Sequence, residues 1–351
     1  MNLNFNHLPV GNLPYEDIQL CKQMMLRLFE KVPFLPELPL MDSNDDALHK
    51  TVENFPYIKF KDSKLLMADT TNEGINQLVT LMEKIYNSSA PYDIDMFASQ
   101  SPYFEMYVEM LKRIHPETTV IKLVGPFTLA NSIFNKNASV ILLDKMYRKF
   151  IIFLITIKAL WFIKKINEAS PMTKPLIMFE ESMLSRYGTL KRTNEGINNE
   201  TVNVLFTKTF SRLRKEGALI GVQSFDKCNW QLIFNTNCVD LISFDAYNNP
   251  TNLNILAPSV NNFLAKGGCI NWGIIPVMNE NAIRSFNVNT LYDRLMTTMD
   301  NLSRQGVSMD LILKQSTVSI QGDLSKYPIL IAEKAILMAN ALADKFAPNR
   351  K

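Results

Sequence analysis

The chain has 351 residues, of which 47% are hydrophobic and 20% charged, and a formal net charge of +3. That length holds one large barrel or two small domains, and so slight a charge gives no argument for a nucleic-acid or membrane partner. Four cysteines, Cys21, Cys228, Cys238 and Cys269, form no C-x-x-C or C-x-x-x-C pair, which leaves no local zinc or redox motif.

The first ten residues lack a basic start and an apolar core, so free thiols in a reducing, cytoplasmic setting are expected. The first strand is expected to end near residues 7–12. A second lies at Tyr57-Ile58-Lys59-Phe60, hairpinned with Leu65-Leu66-Met67. Thr119–Val124 reads as the third strand. The run 151–163 is shorter than the roughly 20 residues a membrane span needs and contains Lys158, so it reads as a buried barrel helix. Pro175–Phe179, Ala218–Val222, Val239–Phe244, Cys269–Ile275 and Met309–Leu313 follow as strands.

Between strands, apolar residues recur at helical spacing, as in Phe104-Tyr107-Val108-Leu111 and Leu291-Leu295-Met299-Leu302. Strand–helix alternation argues for a parallel, helix-covered sheet. Eight such units favour closure into a (β/α)8 TIM barrel, an α/β fold, over 1–351 as a single domain. The first 90 residues hold the first strand and an N-terminal helical or hairpin elaboration. Polar clusters follow the strands at Gln223-Ser224, Asp245-Ala246-Tyr247 and Trp272-Gly273, where such a barrel presents its site.

Several segments in order carry a resemblance. Gly11-Asn12-Leu13-Pro14-Tyr15 stands for Gly-Ser-Leu-Pro-His, and Val32-Pro33-Phe34-Leu35-Pro36-Glu37-Leu38-Pro39 for Ile-Pro-Phe-Trp-Pro-Gln-Leu-Pro. Val124-Gly125-Pro126-Phe127-Thr128-Leu129-Ala130 stands for Thr-Gly-Pro-Val-Thr-Leu-Ala, and Phe179-Glu180-Glu181-Ser182-Met183-Leu184 for Ile-Asp-Glu-Pro-Tyr-Leu. Ser243–Tyr247 and Asn271–Pro276 complete the series. Together they resemble the short single-barrel branch of the uroporphyrinogen decarboxylase and cobalamin-independent methionine synthase superfamily.

The resemblance implies methyl or carboxyl chemistry on small thiols, corrinoids or tetrapyrroles. In the methionine synthase branch it also implies a zinc ion on a His-x-Cys pair, an acidic residue one strand later and a distant Cys. Here the His position is Gln223, the Cys position falls on Ser224 or Phe225, the acidic position on Asp245 and the distant Cys on Thr317. One ligand of that set survives, so no metal and no cofactor are expected. Cys228 offers a displaced thiolate, or an inert thiol in a helix capped by Asp226. The decarboxylase branch needs an arginine-rich N-terminal segment, and residues 1–40 hold only Arg27.

Glu180, Glu181 and Asp245 are therefore the candidate catalytic groups. Alternation along the strand lets at most one of the adjacent glutamates face the centre, and Asp245 has the competing role of capping the turn at Asn248. Asn12, Tyr15, Gly125, Thr128, Gln223, Ser224, Tyr247, Trp272 and Thr317 are the candidate substrate-binding residues. The expected function is a methyltransferase-derived barrel that binds a small molecule at the strand ends. The alternatives are a pseudoenzyme acting as a binding or regulatory subunit, and a tetrapyrrole decarboxylase. A small-molecule ligand is expected, with a corrinoid or a partner protein as further candidates.

Overall fold

The computed structural model describes residues 6–9, 11–61, 65–69, 71–87, 94–193, 197–277 and 279–346. Val10 of the first expected strand, and residues 62–64, 70 and 88–90 of the expected elaboration, lie outside the described residues. The strands are β1 (His7–Leu8), β2 (Ile58–Phe60), β3 (Leu66–Ala68), β4 (Thr118–Val124) and β5 (Ile133–Phe134). They continue as β6 (Lys174–Glu180), β7 (Leu219–Ser224), β8 (Leu241–Asp245), β9 (Cys269–Pro276) and β10 (Ser316–Gln321). Seven of them form one parallel sheet in the order β1-β10-β9-β8-β7-β6-β4.

The gap between β4 and β1 is closed by residues 33–37. Leu35 N donates to Val120 O at 3.2 Å, and Val120 N donates to Pro33 O at 3.0 Å. On the other side Leu13 N donates to Glu37 O at 2.9 Å, and Glu37 N donates to Gly11 O at 3.0 Å. These bonds make an eighth stave and complete a (β/α)8 barrel. The expected second stave at 57–60 is thereby corrected. Those residues form an antiparallel hairpin, β2 with β3, which joins β5 in a separate three-stranded sheet. The true stave contains Pro33 and Pro36. Neither has an N–H to give to the ladder, so its pairing shrinks to isolated bridges.

The expected last strand at 309–313 is also corrected. Met309–Lys314 is a short helix whose first turn is capped by Ser308 Oγ, which accepts from Leu311 N at 3.4 Å. The strand follows it as the more polar β10.

Alternation sorts each strand into a face toward the barrel axis and a face toward the helices. Phe179 stacks on Phe210 of the helix Asn199–Lys215, with ring centres 5.1 Å apart. Its neighbours Met178 and Glu180 therefore face the axis. Gly221 leaves room there for Met178, because a Cβ at Gly221 would come within 2.7 Å of the Met178 sulfur.

The long helix Lys145–Ala169 packs between the barrel helices and the elaboration, and its apolar residues are buried on nearly every side. Its one inward charge, Lys158, donates to Glu53 Oε1 at 2.8 Å and Phe97 O at 3.0 Å. Among the described residues no helix is long and apolar enough to cross a membrane.

Candidate functional site

Strand register places Glu180, Gln223, Ser243, Asn271 and Thr317 in one row across five neighbouring strands. Register partners share a face, so the row lines the inside of the barrel near the C-terminal strand ends. Asn271 organises half of it. Its amide donates to Ser243 Oγ at 2.8 Å and to Ser319 Oγ at 2.9 Å, and its carbonyl accepts from Thr317 Oγ1 at 3.0 Å. Three hydroxyls and one amide thus satisfy one another in a buried network, as a low-dielectric site requires.

The other half of the mouth is charged. Glu37 is fully buried, with Lys50 Nζ 3.0 Å from one carboxylate oxygen and Lys122 Nζ 2.8 Å from the other. Lys122 reaches on to Glu180 at 3.6 Å and to Asn12 Oδ1 at 3.5 Å. Burial opposes the charge on Glu37, but the two lysines outweigh it and hold the carboxyl below its ordinary range. Burial likewise opposes the charge on Lys122, and the carboxylates of Glu37 and Glu180 more than offset it, raising its pKa. Glu180 keeps 29% of its side chain exposed and Lys122 15%, against 1% for Glu37 and 3% for Lys50. Of these four charges, Glu180 and Lys122 are the more exposed to a molecule entering the mouth.

Glu181 does a different job. Its carboxylate accepts from Phe127 N at 3.0 Å, Thr128 N at 2.8 Å and Thr128 Oγ1 at 2.7 Å, at the start of the helix Pro126–Ser132. Gly125, the residue before that helix, is needed because a Cβ there would collide with the Glu181 carboxylate. Burial pushes the Glu181 carboxyl up to about 7, against the pull of those three donors. Glu181, Gly125 and Thr128 are thus one helix cap, and their expected roles as catalytic and ligand-binding groups meet a full set of internal partners.

Four other expected residues also lie away from the lumen. Trp272 is wholly buried and donates to Ser316 Oγ at 2.8 Å, while Ser316 donates to Ile312 O at 2.6 Å. With Phe244 edge-on at 5.4 Å, Trp272 belongs to the layer between sheet and helices. Ser224 follows Gln223 and so lies on that outer face too. Tyr15 donates to Glu333 on the helix Ile329–Phe346 at 2.7 Å, and burial raises its phenol first of all. Tyr247 lies under the Arg294 guanidinium, 4.0 Å from its ring centre.

Asp245 is 5% exposed and accepts from Asn248 N at 2.8 Å and Asn248 Nδ2 at 2.7 Å. It closes the turn after β8. Cys228 is half-buried, and burial pushes its thiol up to about 12. The helix after it is Gln231–Phe234, and Asn229 Oδ1 accepts from Gln231 N, so Asp226 is not its cap.

Solved structures place this geometry in context. A B12-independent methionine synthase from Shewanella sp. W3-18-1, in complex with selenomethionine, superposes with a TM-score of 0.57 at 10% identity, over 95% of this chain and 87% of that one. A Bacteroidetes-affiliated GH5 cellulase gives a TM-score of 0.42 at 10% identity over 75% and 79% of the two chains, too low to carry an argument. No family model and no curated protein sequence matches the chain. The chain is a barrel of the kind the methionine synthase has, and at that identity the likeness concerns the fold.

The zinc ion that the sequence resemblance implies does not fit the residues present. Ser224 and Gln223 face opposite sides of the strand, Asp245 is held by Asn248, and Thr317 is held by Asn271. Among the described residues, no three His, Cys, Asp or Glu side chains converge as a metal site. Sequence reasoning missed Glu37, Lys50, Lys122 and Asn271. Alternation next to Trp272 was the available signal for Asn271. The lysines carried none, because their partner lies on a stave that no periodic pattern marks.

Proposed function

We propose that this chain is a methyltransferase-derived barrel that binds a small zwitterionic molecule at its C-terminal strand ends, without a zinc site. The observation that carries this is the partly exposed pair of Lys122 and Glu180, 3.6 Å apart at the mouth, with Asn12 beside them. An amino acid offers an ammonium to Glu180 and a carboxylate to Lys122. The methionine synthase that shares the fold has selenomethionine bound, and selenomethionine has both groups. Glu37, buried behind Lys122, holds that lysine charged and aimed.

The test is calorimetric titration with methionine and homocysteine, beside folates, corrinoids and porphyrins. Methionine or homocysteine should bind saturably, and Glu180→Gln should weaken that binding about tenfold, the loss of one charged hydrogen bond. Absence of binding by either amino acid, or equal binding by Glu180→Gln, overturns the proposal.

A pseudoenzyme is the second reading, supported by the internal hydrogen bonds that occupy Glu181, Asp245 and Thr317. Binding of an amino acid without methyl transfer to homocysteine from any supplied donor would favour it. Tetrapyrrole decarboxylation has the least support, since Arg27, the one arginine of residues 1–40, is paired with Glu333.

A further inference from the structure

A cavity of about 210 Å³ lies on the far side of the sheet from the lumen. His7, Val318 and Trp272 are register partners on neighbouring strands. Register partners share a face, and Trp272 faces the helices, so His7 faces them too. The cavity opens there, between β1 and the last turns of the helices Ile18–Leu28 and Ile329–Phe346. Phe29, Val32 and Ala343 give it apolar walls, and all three are buried. His7 and Asn340 supply its inner polar groups. Every charged residue of the lining is exposed, so the charges stand at the rim.

The imidazole that lines this cavity is unserved. His7 is 4% exposed, and neither ring nitrogen has a hydrogen-bond partner among the described residues. Asn340 beside it donates its amide N–H to Leu28 O at 3.1 Å instead. Burial outweighs the pull of Asn340 and pushes the imidazole down to about 3, so the ring is neutral at physiological pH. A neutral imidazole carries one donor and one acceptor. Buried polar atoms are rarely left unpaired without a ligand or water to serve them. The Phe29 ring, its centre 5.0 Å from that of His7, sets an aromatic wall beside the free nitrogens.

We propose that this cavity binds a small neutral phenol, whose hydroxyl donates to a ring nitrogen of His7 while its ring packs against Phe29, Val32 and Ala343. An ion is a poor occupant, because a neutral imidazole offers it no countercharge and the rim charges are screened by water. A phenol matches both halves of the lining. Its hydroxyl donates and accepts, so it serves either tautomer of the imidazole. Its ring suits an aromatic and aliphatic wall. The size fits as well: an apolar cavity of about 150 Å³ takes benzene, and the larger volume here leaves room for the hydroxyl. The sheet separates this cavity from the lumen, so the assignment does not depend on what the barrel mouth binds.

The experiment is titration of the full chain with phenol, with toluene as the control that keeps the ring and lacks the hydroxyl. The chain has three histidines. His49 is paired with Asp46 and His115 with Ser170, so the imidazole nitrogen resonances report on His7 by themselves. Phenol should shift the His7 nitrogens saturably and leave those of His49 and His115 in place. Toluene should bind at least tenfold more weakly than phenol. His7→Phe should delete the shifted resonances and weaken phenol at least tenfold by calorimetry. Should that variant fail to fold, the nitrogen shift and the phenol–toluene ratio on the parent chain still decide. No saturable phenol binding, a shift at His49 or His115 instead of His7, toluene binding as tight as phenol, or undiminished binding by folded His7→Phe overturns the assignment.

Discussion

The Lys122 ammonium lies 2.8 Å from the buried carboxylate of Glu37, and the pair joins two staves whose backbone ladder is a single bridge, Phe34 to Val120. Charge thus supplies a tie where proline has removed hydrogen bonds. Stripping one lysine from Glu37 leaves a buried carboxylate half-paired, and breaking a buried pair this way costs about 3 kcal/mol or more. Lys50→Met should therefore lower the unfolding free energy, read from denaturant titration, by about that much. Glu37→Gln in the Lys50→Met background should recover part of the loss, because no buried charge then lacks its partner. A Lys50→Met variant as stable as the parent would remove this network from the account of barrel closure.

The pH dependence of stability has two opposed parts. The folded-state pKa of Glu37 is depressed, so its contribution is present above the unfolded value and is lost as pH falls through the folded one. Glu181 is the reverse, raised from 4.5 to about 7. Between those values the unfolded chain ionises before the folded one, so stability falls as pH rises, by up to about 3 kcal/mol from this group. Asp45, raised from 3.8 to about 6 chiefly by burial, acts in the same sense. Glu181→Gln should flatten the decline between pH 4.5 and 7 in a series of urea melts. It should also cost about 1–3 kcal/mol at pH 4.5, where one of the helix-cap donors loses its acceptor. An unchanged slope would show that Glu181 stays ionised across the range.

Trp272 separates packing from binding. Its indole N–H is satisfied by Ser316 on the outer face of the sheet. Trp272→Phe should cost about 1–3 kcal/mol of stability, from the lost bond and the unfilled volume, and should leave ligand affinity at the mouth unaltered. A fall in affinity out of proportion to stability, measured by titration on the folded variant, would return Trp272 to the pocket wall.

Most of the ring was legible because its strands are short apolar runs between helical patterns. Those at 118–124, 174–180, 219–224, 241–245 and 269–276 follow that rule. The stave at 33–37 did not, since Pro33 and Pro36 replace β-branched residues and break the ladder. The last strand was misplaced for the converse reason. Met309–Leu313 is the more apolar run but is helical, whereas Ser316–Gln321 points Thr317 and Ser319 into a polar lumen. The site was legible only where alternation decides it. Glu180 faces the axis and Glu181 cannot, yet nothing local to Lys122 or Lys50 announces Glu37, which is distant from Lys122 in sequence and adjacent in space.

Metal removal tests the reading of the 223–228 segment. A ligand that binds only the folded chain stabilises it by about 4 kcal/mol at a thousandfold excess over Kd, enough to move Tm by several degrees. Zinc requires deprotonated soft or imidazole donors that are free to turn toward it. Here Gln223 is a neutral amide, both Asp245 oxygens accept from Asn248, and the Cys228 thiol is pushed up to about 12 by burial. Dialysis against a chelator should therefore leave Tm unchanged, and added zinc should not raise it. A drop in Tm on chelation that zinc restores would mean that Asp245 and Cys228 leave their present partners to hold the ion.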